Sequence, residues 1–307
     1  MNTCYVHDQP VPPELLAELT DSAPVLLSGA AHEAAAELNR RMADEGYLFF
    51  RGVLPQAEVL AARQEVLERL VAVGEIHPPA AEAIFTGESR RRKVAGDLGA
   101  FWQSVSEGAA LRRVSHGAPL AAVMQAIYEE PARGHDYLFL RVGPVGRRTD
   151  LHYDFPFFAQ GTSRVQTVWF PLGDVPAIEG PLMIVSGSNK FSDLIDQNQS
   201  LDYNARSAPR VALEDDAIAL ARKRGVRLLT TDFRAGDVVV FGMQTLHGAL
   251  DNRSPVGRVR VSCDVRYQRA SDPIDERYIG PNPRGTTGVG YGELNGAKPL
   301  TEPWHVR

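Results

Sequence analysis

The pattern of apolar and polar positions divides the chain into a helical first part and a strand-rich second part. Apolar residues recur at helical spacing in residues 30–45, 55–73 and 119–130, and a short apolar strand is predicted at Tyr47–Phe50. From residue 136 onward, short apolar runs are separated by Gly, Pro, Asn and Asp, which is typical of strands joined by turns. We predict strands at residues 136–142, 165–172, 182–185, 238–241 and 259–265.

This order of elements predicts a mainly β fold with flanking helices around a jelly-roll core. We expect a single catalytic domain at residues 1–307, composed of a helical N-terminal part (about 1–135), a jelly-roll core (about 136–268) with an insert (about 193–225), and a C-terminal extension (269–307). A helix is predicted inside the insert at Leu213–Arg224. Residues 75–115 show no clear periodicity, so no element is predicted there.

A histidine and a carboxylate stand two residues apart in Leu151–Phe155, a segment that we predict to be a strand. Because side chains at i and i+2 leave the same face of a strand, His152 and Asp154 could bind one ion together. Taken singly, a core histidine or a capping carboxylate is the simpler explanation of each residue. His247 adds a second imidazole far downstream. Two histidines and one carboxylate that leave coordination positions open are typical of non-haem Fe(II) oxygenases.

A cation that could bind a remote carboxylate follows the distal histidine. Arg258 comes eleven residues after His247, and a guanidinium can hold a carboxylate through two parallel hydrogen bonds. Polar and apolar residues alternate along residues 258–266, so Arg260 shares the face of Arg258 and stays an alternative for the same role.

Taken together, these residues resemble the phytanoyl-CoA dioxygenase-like family of Fe(II)/2-oxoglutarate oxygenases. The resemblance covers roughly residues 35–268 and is carried by Gly46–Leu54, His152-Tyr153-Asp154, Trp169, Gly180–Asn189, Ala235–Phe241, His247 and Arg258. It implies a double-stranded β-helix of the cupin-like kind, O₂ as the oxidant, and Fe(II) held by His152, Asp154 and His247. It further implies 2-oxoglutarate as co-substrate, with Arg258 on its 5-carboxylate, and on this interpretation Thr167 and Trp169 also contact it. The expected products are succinate, CO₂ and an oxidised, typically hydroxylated, small molecule of the kind found in secondary metabolism.

Two features bear on alternatives within and outside that family. Family members often carry Ser two residues after the distal histidine, where this chain has Ala249, which alters a co-substrate contact rather than the class. Related halogenases have Gly or Ala in place of the carboxylate ligand, so Asp154 favours oxygenation. The alternative is a jelly-roll metal-binding protein or isomerase without oxygenase activity, which would have no need of Arg258.

Aromatic and basic residues beside the first two ligands are candidates for substrate contacts. Tyr153, Phe155 and Phe158 could form an apolar face for the substrate, and Arg148 could hold an anionic group. Core packing explains Phe158 equally well.

Composition narrows the expected partners and setting. A net charge of −5 and a pI near 5.9 argue against a broad phosphate-binding surface, so neither nucleic acid nor membrane is an expected partner. Two cysteines are too few for a disulfide framework. No window reaches the roughly 20 apolar residues of a membrane span, and no signal peptide is evident at the start. We expect a cytoplasmic monomer or homodimer that acts on a small molecule.

Overall fold

The computed structural model of the protein describes residues 3–28, 31–88, 90, 93–94, 96–158, 161–199 and 216–285. The helices in this part of the chain are α1 (Ala23–Leu26), α2 (Ala31–Glu45), α3 (Gln56–Ala72), α4 (Leu98–Ser106), α5 (Ala109–Ser115), α6 (Ala118–Tyr128), α7 (Phe155–Phe158), α8 (Ser192–Gln199) and α9 (Ala217–Arg224). No helix in these ranges is long and apolar enough to cross a membrane.

The strands form a two-stranded hairpin and two larger sheets. Their bounds are β1 (Tyr5–Val6), β2 (Gln9–Pro10), β3 (Leu16–Glu18), β4 (Tyr47–Phe50), β5 (Ala132–Gly134), β6 (Phe139–Gly143), β7 (Thr149–His152), β8 (Gln166–Pro171), β9 (Leu182–Val185), β10 (Leu228–Thr230), β11 (Val238–Gly242), β12 (His247–Ala249) and β13 (Arg260–Arg269). A five-stranded sheet has the order β3-β10-β9-β12-β7. A six-stranded sheet has the order β4-β11-β8-β13-β5, with β6 also paired to β13.

Side-chain alternation explains how the sheets pack. In β4, Leu48 and Phe50 point into a core shared with the helices, whereas Tyr47 and Phe49 point between the two sheets. Because successive side chains leave opposite faces of a strand, one apolar strand serves both cores. The larger sheet therefore carries helices on one face and the smaller sheet on the other. The predicted jelly-roll fold is confirmed, and all the paired strands are antiparallel except β3 and β10.

Two helices occupy the region for which no element was predicted. α4 begins after Asp97, whose carboxylate accepts the backbone N–H of Ala100 at 3.1 Å and so caps the helix. α5 follows almost at once and packs against α3. The apolar residues of these short helices are too few to establish a period, which is why the pattern did not reveal them.

The insert and the C-terminal extension are described only in part. In the insert, a helix is present at Ala217–Arg224, where Asp216 caps it by accepting the N–H of Ala219 at 2.7 Å. The first residues of the predicted helix, 213–215, lie outside the described residues. Residues 200–215 and 286–307 lie outside the described residues. The beginning of the extension is held to the core by Tyr278, which is fully buried.

His135 is a buried structural histidine that packs on this extension. Its ring stacks on Tyr278 with centroids 5.5 Å apart, and its Nε2 is 3.1 Å from Oε1 of Gln268. Burial lowers the pKa of His135 to about 4 from its ordinary value of 6.5. Between pH 4 and pH 6.5 this histidine therefore binds a proton in the unfolded chain but not in the folded chain.

The unfolding free energy of the protein should consequently fall as the pH drops from 6.5 toward 4. The contribution of His135 is fully present above pH 6.5 and amounts to about 3 kcal/mol of stability lost by pH 4. Urea unfolding at pH 7 and pH 5 measures this loss. His135→Gln should reduce the difference in unfolding free energy between the two pH values. Identical pH dependence in His135→Gln and wild type would show that His135 is not responsible.

Candidate metal centre

His152 and His247 face each other across neighbouring strands of the smaller sheet. β7 ends at His152, β12 begins at His247, and the two residues are direct partners in the antiparallel register. The sequence predicted that Asp154 continues this strand, but it does not. It lies in a bend before α7. Pairing with β12 stops at His152, and the backbone N–H of Phe155 bonds to the carbonyl of Met243.

The turn nevertheless brings the carboxylate to the two imidazoles. One donor atom from each of His152, Asp154 and His247 lies within 4.8 Å of the others. Nε2 of His152 is 3.8 Å from Oδ1 of Asp154. A nitrogen, nitrogen and oxygen set at this spacing fits a divalent transition metal with coordination positions left open.

Each histidine is oriented by the backbone two residues before it. Nδ1 of His152 donates to the carbonyl of Asp150 at 2.9 Å, and Nδ1 of His247 donates to the carbonyl of Thr245 at 3.0 Å. A donated Nδ1–H leaves the Nε2 lone pair free for a metal. Burial lowers the pKa of His247 to about 4 and also lowers the pKa of His152, so both rings are neutral at pH 7.

Asp154 is held from behind by two donors on one oxygen. Its Oδ2 accepts the hydroxyl of Thr167 at 2.5 Å and Nη2 of Arg266 at 2.8 Å. Burial alone would raise the pKa of Asp154, but the Arg266 guanidinium, the two imidazoles and the Thr167 hydroxyl outweigh it and hold the pKa well below its usual range. Asp154 is therefore a buried carboxylate that stays ionised.

A cavity opens in front of these ligands. Its walls include His152 and His247, Trp169 and Leu182, and the charged residues Arg141, Arg260 and Asp264. Trp169 thus lies where a co-substrate contact was expected. Thr167 does not line this cavity, because its hydroxyl bonds to Asp154.

The structure places Arg258 outside the lining of this cavity. β13 begins only at Arg260, and Arg258 belongs to the preceding loop, where its Nη1 is 2.9 Å from Oε1 of the buried Glu179. The side chain of Arg258 is 41% exposed and is paired with Glu179, and its role as the co-substrate anchor stays a prediction. Arg260, the alternative by parity, is the arginine that lines the cavity.

Arg260 is a buried cation with unused hydrogen-bonding capacity. It is 5% exposed, and its Nη1 donates to Oγ of Ser262 at 2.7 Å. Its Nε has no hydrogen-bond partner among the residues that the structure describes. Burial lowers the pKa of Arg260 to about 10. Gly143 is its partner across β6 and β13, and a Cβ there would lie 3.2 Å from Nη2, so the guanidinium packs closely against the glycine.

The four predicted substrate contacts lie outside the described lining of the cavity. Tyr153 is buried in the core behind the smaller sheet, with its hydroxyl donating to the carbonyl of Ser188. Phe155 and Phe158 pack into the core below the larger sheet, and Phe158 is 2% exposed. Arg148 donates from Nε to Asp150 at 3.0 Å and is held by that ion pair. Packing and ion pairing account for these positions, although Phe155 is only half-buried.

Three charged residues of the site were missed. Arg266 and Asp264 share the face of Arg260 on β13, so the alternation that singled out Arg260 also applied to them. Arg141 stands opposite Ser262 on β6 and donates from Nε to Oδ2 of Asp264 at 2.9 Å. The alternation along β13 was a usable signal, whereas the pairing of Arg141 with Asp264 depends on sheet register.

The fold and the site define a non-haem Fe(II)- and 2-oxoglutarate-dependent oxygenase, and comparison with known proteins agrees. The chain belongs to the phytanoyl-CoA dioxygenase (PhyH) family, whose model matches residues 42–260. The predicted family, enzyme class and cofactors Fe(II), 2-oxoglutarate and O₂ are confirmed.

Named relatives are similar over most of their length. The 1-deoxypentalenic acid 11-beta-hydroxylase of Streptomyces exfoliatus is 24% identical over 301 residues, covering 92% of this chain and 96% of the relative. The enzyme of the same name from Streptomyces arenae is 26% identical over 253 residues, covering 76% of this chain and 81% of the relative. Among solved structures, the alpha ketoglutarate dependent carbocyclase SnoK from nogalamycin biosynthesis has a TM-score of 0.53 at 23% identity, covering 89% and 94% of the two chains.

Proposed function

We propose that this enzyme oxidises a small carboxylic acid, with Fe(II) held by His152, Asp154 and His247 and 2-oxoglutarate anchored by Arg260. The observation that carries the proposal is the buried guanidinium of Arg260 in the same cavity as both metal histidines. A buried cation with an unused N–H is costly unless an anion binds it. The 5-carboxylate of 2-oxoglutarate supplies that anion, with its charge and its paired oxygens matching the guanidinium.

The chemistry that bound iron supplies is the activation of O₂, coupled to decarboxylation of 2-oxoglutarate to succinate and CO₂. The residues of this chain supply position and charge. The two neutral imidazoles and the ionised Asp154 hold the ion, while Trp169 and Leu182 provide an apolar wall for the methylene groups of the co-substrate. Holding the reactants in one geometry is the protein's main contribution to the rate.

A second arginine supports an acidic substrate. Arg141 lines the cavity with a side chain that is 32% exposed, and its Nε donates to Asp264. The cavity walls thus carry two guanidinium groups against one carboxylate, while Asp154 and Arg266 balance each other behind them. Fe(II) and doubly charged 2-oxoglutarate add no net charge, so one positive charge remains for a substrate carboxylate. The named hydroxylases that resemble this chain act, by their names, on an acid.

Apolar carboxylic acids are expected to stimulate succinate release by the iron-loaded enzyme, and their methyl esters at least about tenfold less. The reason is that a hydrogen bond to a charged group contributes about 1.5–3 kcal/mol. Under ¹⁸O₂ the oxidised product should gain one labelled oxygen. In chloride buffer it should carry no halogen, because Asp154 occupies the position that a halide would need. Succinate assays measure the preference for acids over esters, and mass spectrometry of the product measures the labelled oxygen and the halogen.

Two variants separate the roles of the arginines in this experiment. Arg141→Met should lose the preference for acids over esters, whereas Arg148→Met should keep it, because Arg148 is paired with Asp150 outside the described cavity lining. Esters that turn over as fast as the acids would remove the carboxylate from the proposal. A product without label would indicate an outcome other than oxygen insertion, and a halogenated one would contradict the oxygenase assignment.

For the setting of the enzyme we propose a cytoplasmic monomer or homodimer, with neither nucleic acid nor membrane as a partner. The net charge of −5 supports the absence of a nucleic-acid partner. The low cysteine content, with Cys263 buried, supports a reducing compartment.

A further inference from the structure

Arg266 is a buried cation directly behind the metal centre. Its side chain is 2% exposed, and its guanidinium lies between the rings of Phe139 and Phe158, 4.5 and 4.2 Å from their centroids. An apolar residue of this size would fill the space between two rings without the cost of burying a charge. The charge at this position therefore points to a specific task.

The sheet brings Arg266 and Thr167 to the same carboxylate oxygen. The two residues are direct partners in the register of β8 and β13. Nη2 of Arg266 is 2.8 Å and Oγ1 of Thr167 is 2.5 Å from Oδ2 of Asp154. Asp154 comes from a different part of the fold, the bend after β7 in the smaller sheet. Arg266 and Thr167, on adjacent strands of the larger sheet, thus fix Asp154, which follows a strand of the smaller sheet.

We propose that Arg266 is a positioning residue which, with Thr167, holds Asp154 so that only Oδ1 faces the ion. The inference rests on the metal centre of the proposed function. Oδ1 is the oxygen that lies 3.8 Å from Nε2 of His152. Binding the ion through both oxygens would require breaking the bonds from Arg266 and Thr167. A single bound oxygen leaves three of six coordination positions open, enough for two atoms of 2-oxoglutarate and for O₂.

No other guanidinium in the described part of the chain takes this position. Arg141 is paired through Nε with Asp264, and Nη1 of Arg266 is 3.9 Å from the same carboxylate. Within the described residues, Arg266 is the one arginine at ion-pair distance from Asp154. Nε and Nη1 of Arg266 have no hydrogen-bond partner among the described residues. The hydrogen bond from Nη2 to Asp154 is therefore the principal polar interaction of this side chain.

Removing the carboxylate of Asp154 would leave both of its hydrogen-bond donors without a partner. In Asp154→Gly, Nη2 of Arg266 and the hydroxyl of Thr167 would face the space that the side chain leaves. Both donors would then form a pocket for one small anion. Formate, a carboxylate of one carbon, should bind there and present its second oxygen to the metal in the place of Oδ1.

Cobalt(II) titration of the whole protein tests the positioning role without measuring turnover. Visible absorption of bound Co(II) reports both affinity and coordination. Arg266→Met, which keeps the length of the side chain, should weaken Co(II) binding by about 10–100-fold and change the spectrum, as loss of a partner of a metal ligand typically does. Arg269→Met is the matched control, because Arg269 lies on the same strand but pairs with Glu130. It should bind Co(II) like wild type.

Formate rescue provides a second test. Its variants lack the Asp154 carboxylate, so the loss of Arg266 leaves no buried carboxylate at this position without its partner. Asp154→Gly should regain Co(II) affinity when formate is added, and Asp154→Gly with Arg266→Met should not. Equal behaviour of these two variants, whether both are rescued or neither is, would overturn the proposal. Wild-type affinity and spectrum in Arg266→Met would overturn it as well. If wild type itself fails to bind Co(II), the metal centre and the proposed function fail instead.

Discussion

Replacing His152, Asp154 or His247 by alanine is expected to remove iron from the enzyme and abolish succinate formation. Each variant leaves two of three protein ligands, and in Asp154→Ala the two remaining imidazoles provide no negative charge to offset the positive charge of the ion. Asp154→Ala should also lower the unfolding free energy, because it leaves the buried guanidinium of Arg266 without its carboxylate. Removing one partner of a buried ion pair costs about 3–5 kcal/mol.

Iron content by metal analysis, succinate formation and thermal unfolding should be measured on the same preparations. His116→Ala is a suitable control. His116 is a half-buried histidine that contacts the carbonyl of His135 at 3.1 Å, outside the metal centre. This control should retain iron and activity. Full activity in any one of the three ligand variants would exclude that residue from the centre.

The metal ligands could be predicted from sequence because their chemistry is carried by residue type and spacing. His152 and Asp154 were placed on one strand, yet the strand ends at His152 and a bend delivers Asp154. The spacing of two residues suits both conformations, so the ligand pair was identified although the local structure was not. The pairing of His152 with His247 comes from the register of β7 and β12, which the spacing along the chain does not contain.

The choice between Arg258 and Arg260 could not be made from alternation. Both residues have the same parity, and the strand begins between them. What separates them is the buried carboxylate of Glu179, which pairs with Arg258 from a distant segment. A contact between residues so far apart in the chain leaves no trace in a local pattern. The packing of the predicted aromatic contacts could not be seen in a local pattern either, since Tyr153 and Phe158 belong to two different apolar cores.

The second large effect is expected on 2-oxoglutarate binding. Arg260→Met should weaken it by about 2–5 kcal/mol, the usual cost of removing one partner of a buried, hydrogen-bonded charge pair. This corresponds to an increase in Kd of about 30-fold to several thousand-fold. Iron binding should persist, because Arg260 does not contact His152, Asp154 or His247 in the structure's hydrogen bonds or ion pairs. Absorption of the Fe(II) and 2-oxoglutarate complex under anaerobic conditions gives the affinity directly.

Arg258→Met is the matched control for this prediction, since it removes the same group from the same segment but from a pair with Glu179. It should leave the Kd for 2-oxoglutarate close to that of wild type, because Arg258 lies outside the described lining of the cavity. A second ligand sharpens the comparison. 2-Oxopentanoate has the chain length of 2-oxoglutarate but no 5-carboxylate, so wild type should bind it far more weakly, while Arg260→Met should hardly distinguish the two. If Arg258→Met instead loses that distinction and Arg260→Met retains it, the anchor is Arg258, and the loop before β13 must rearrange when the co-substrate binds.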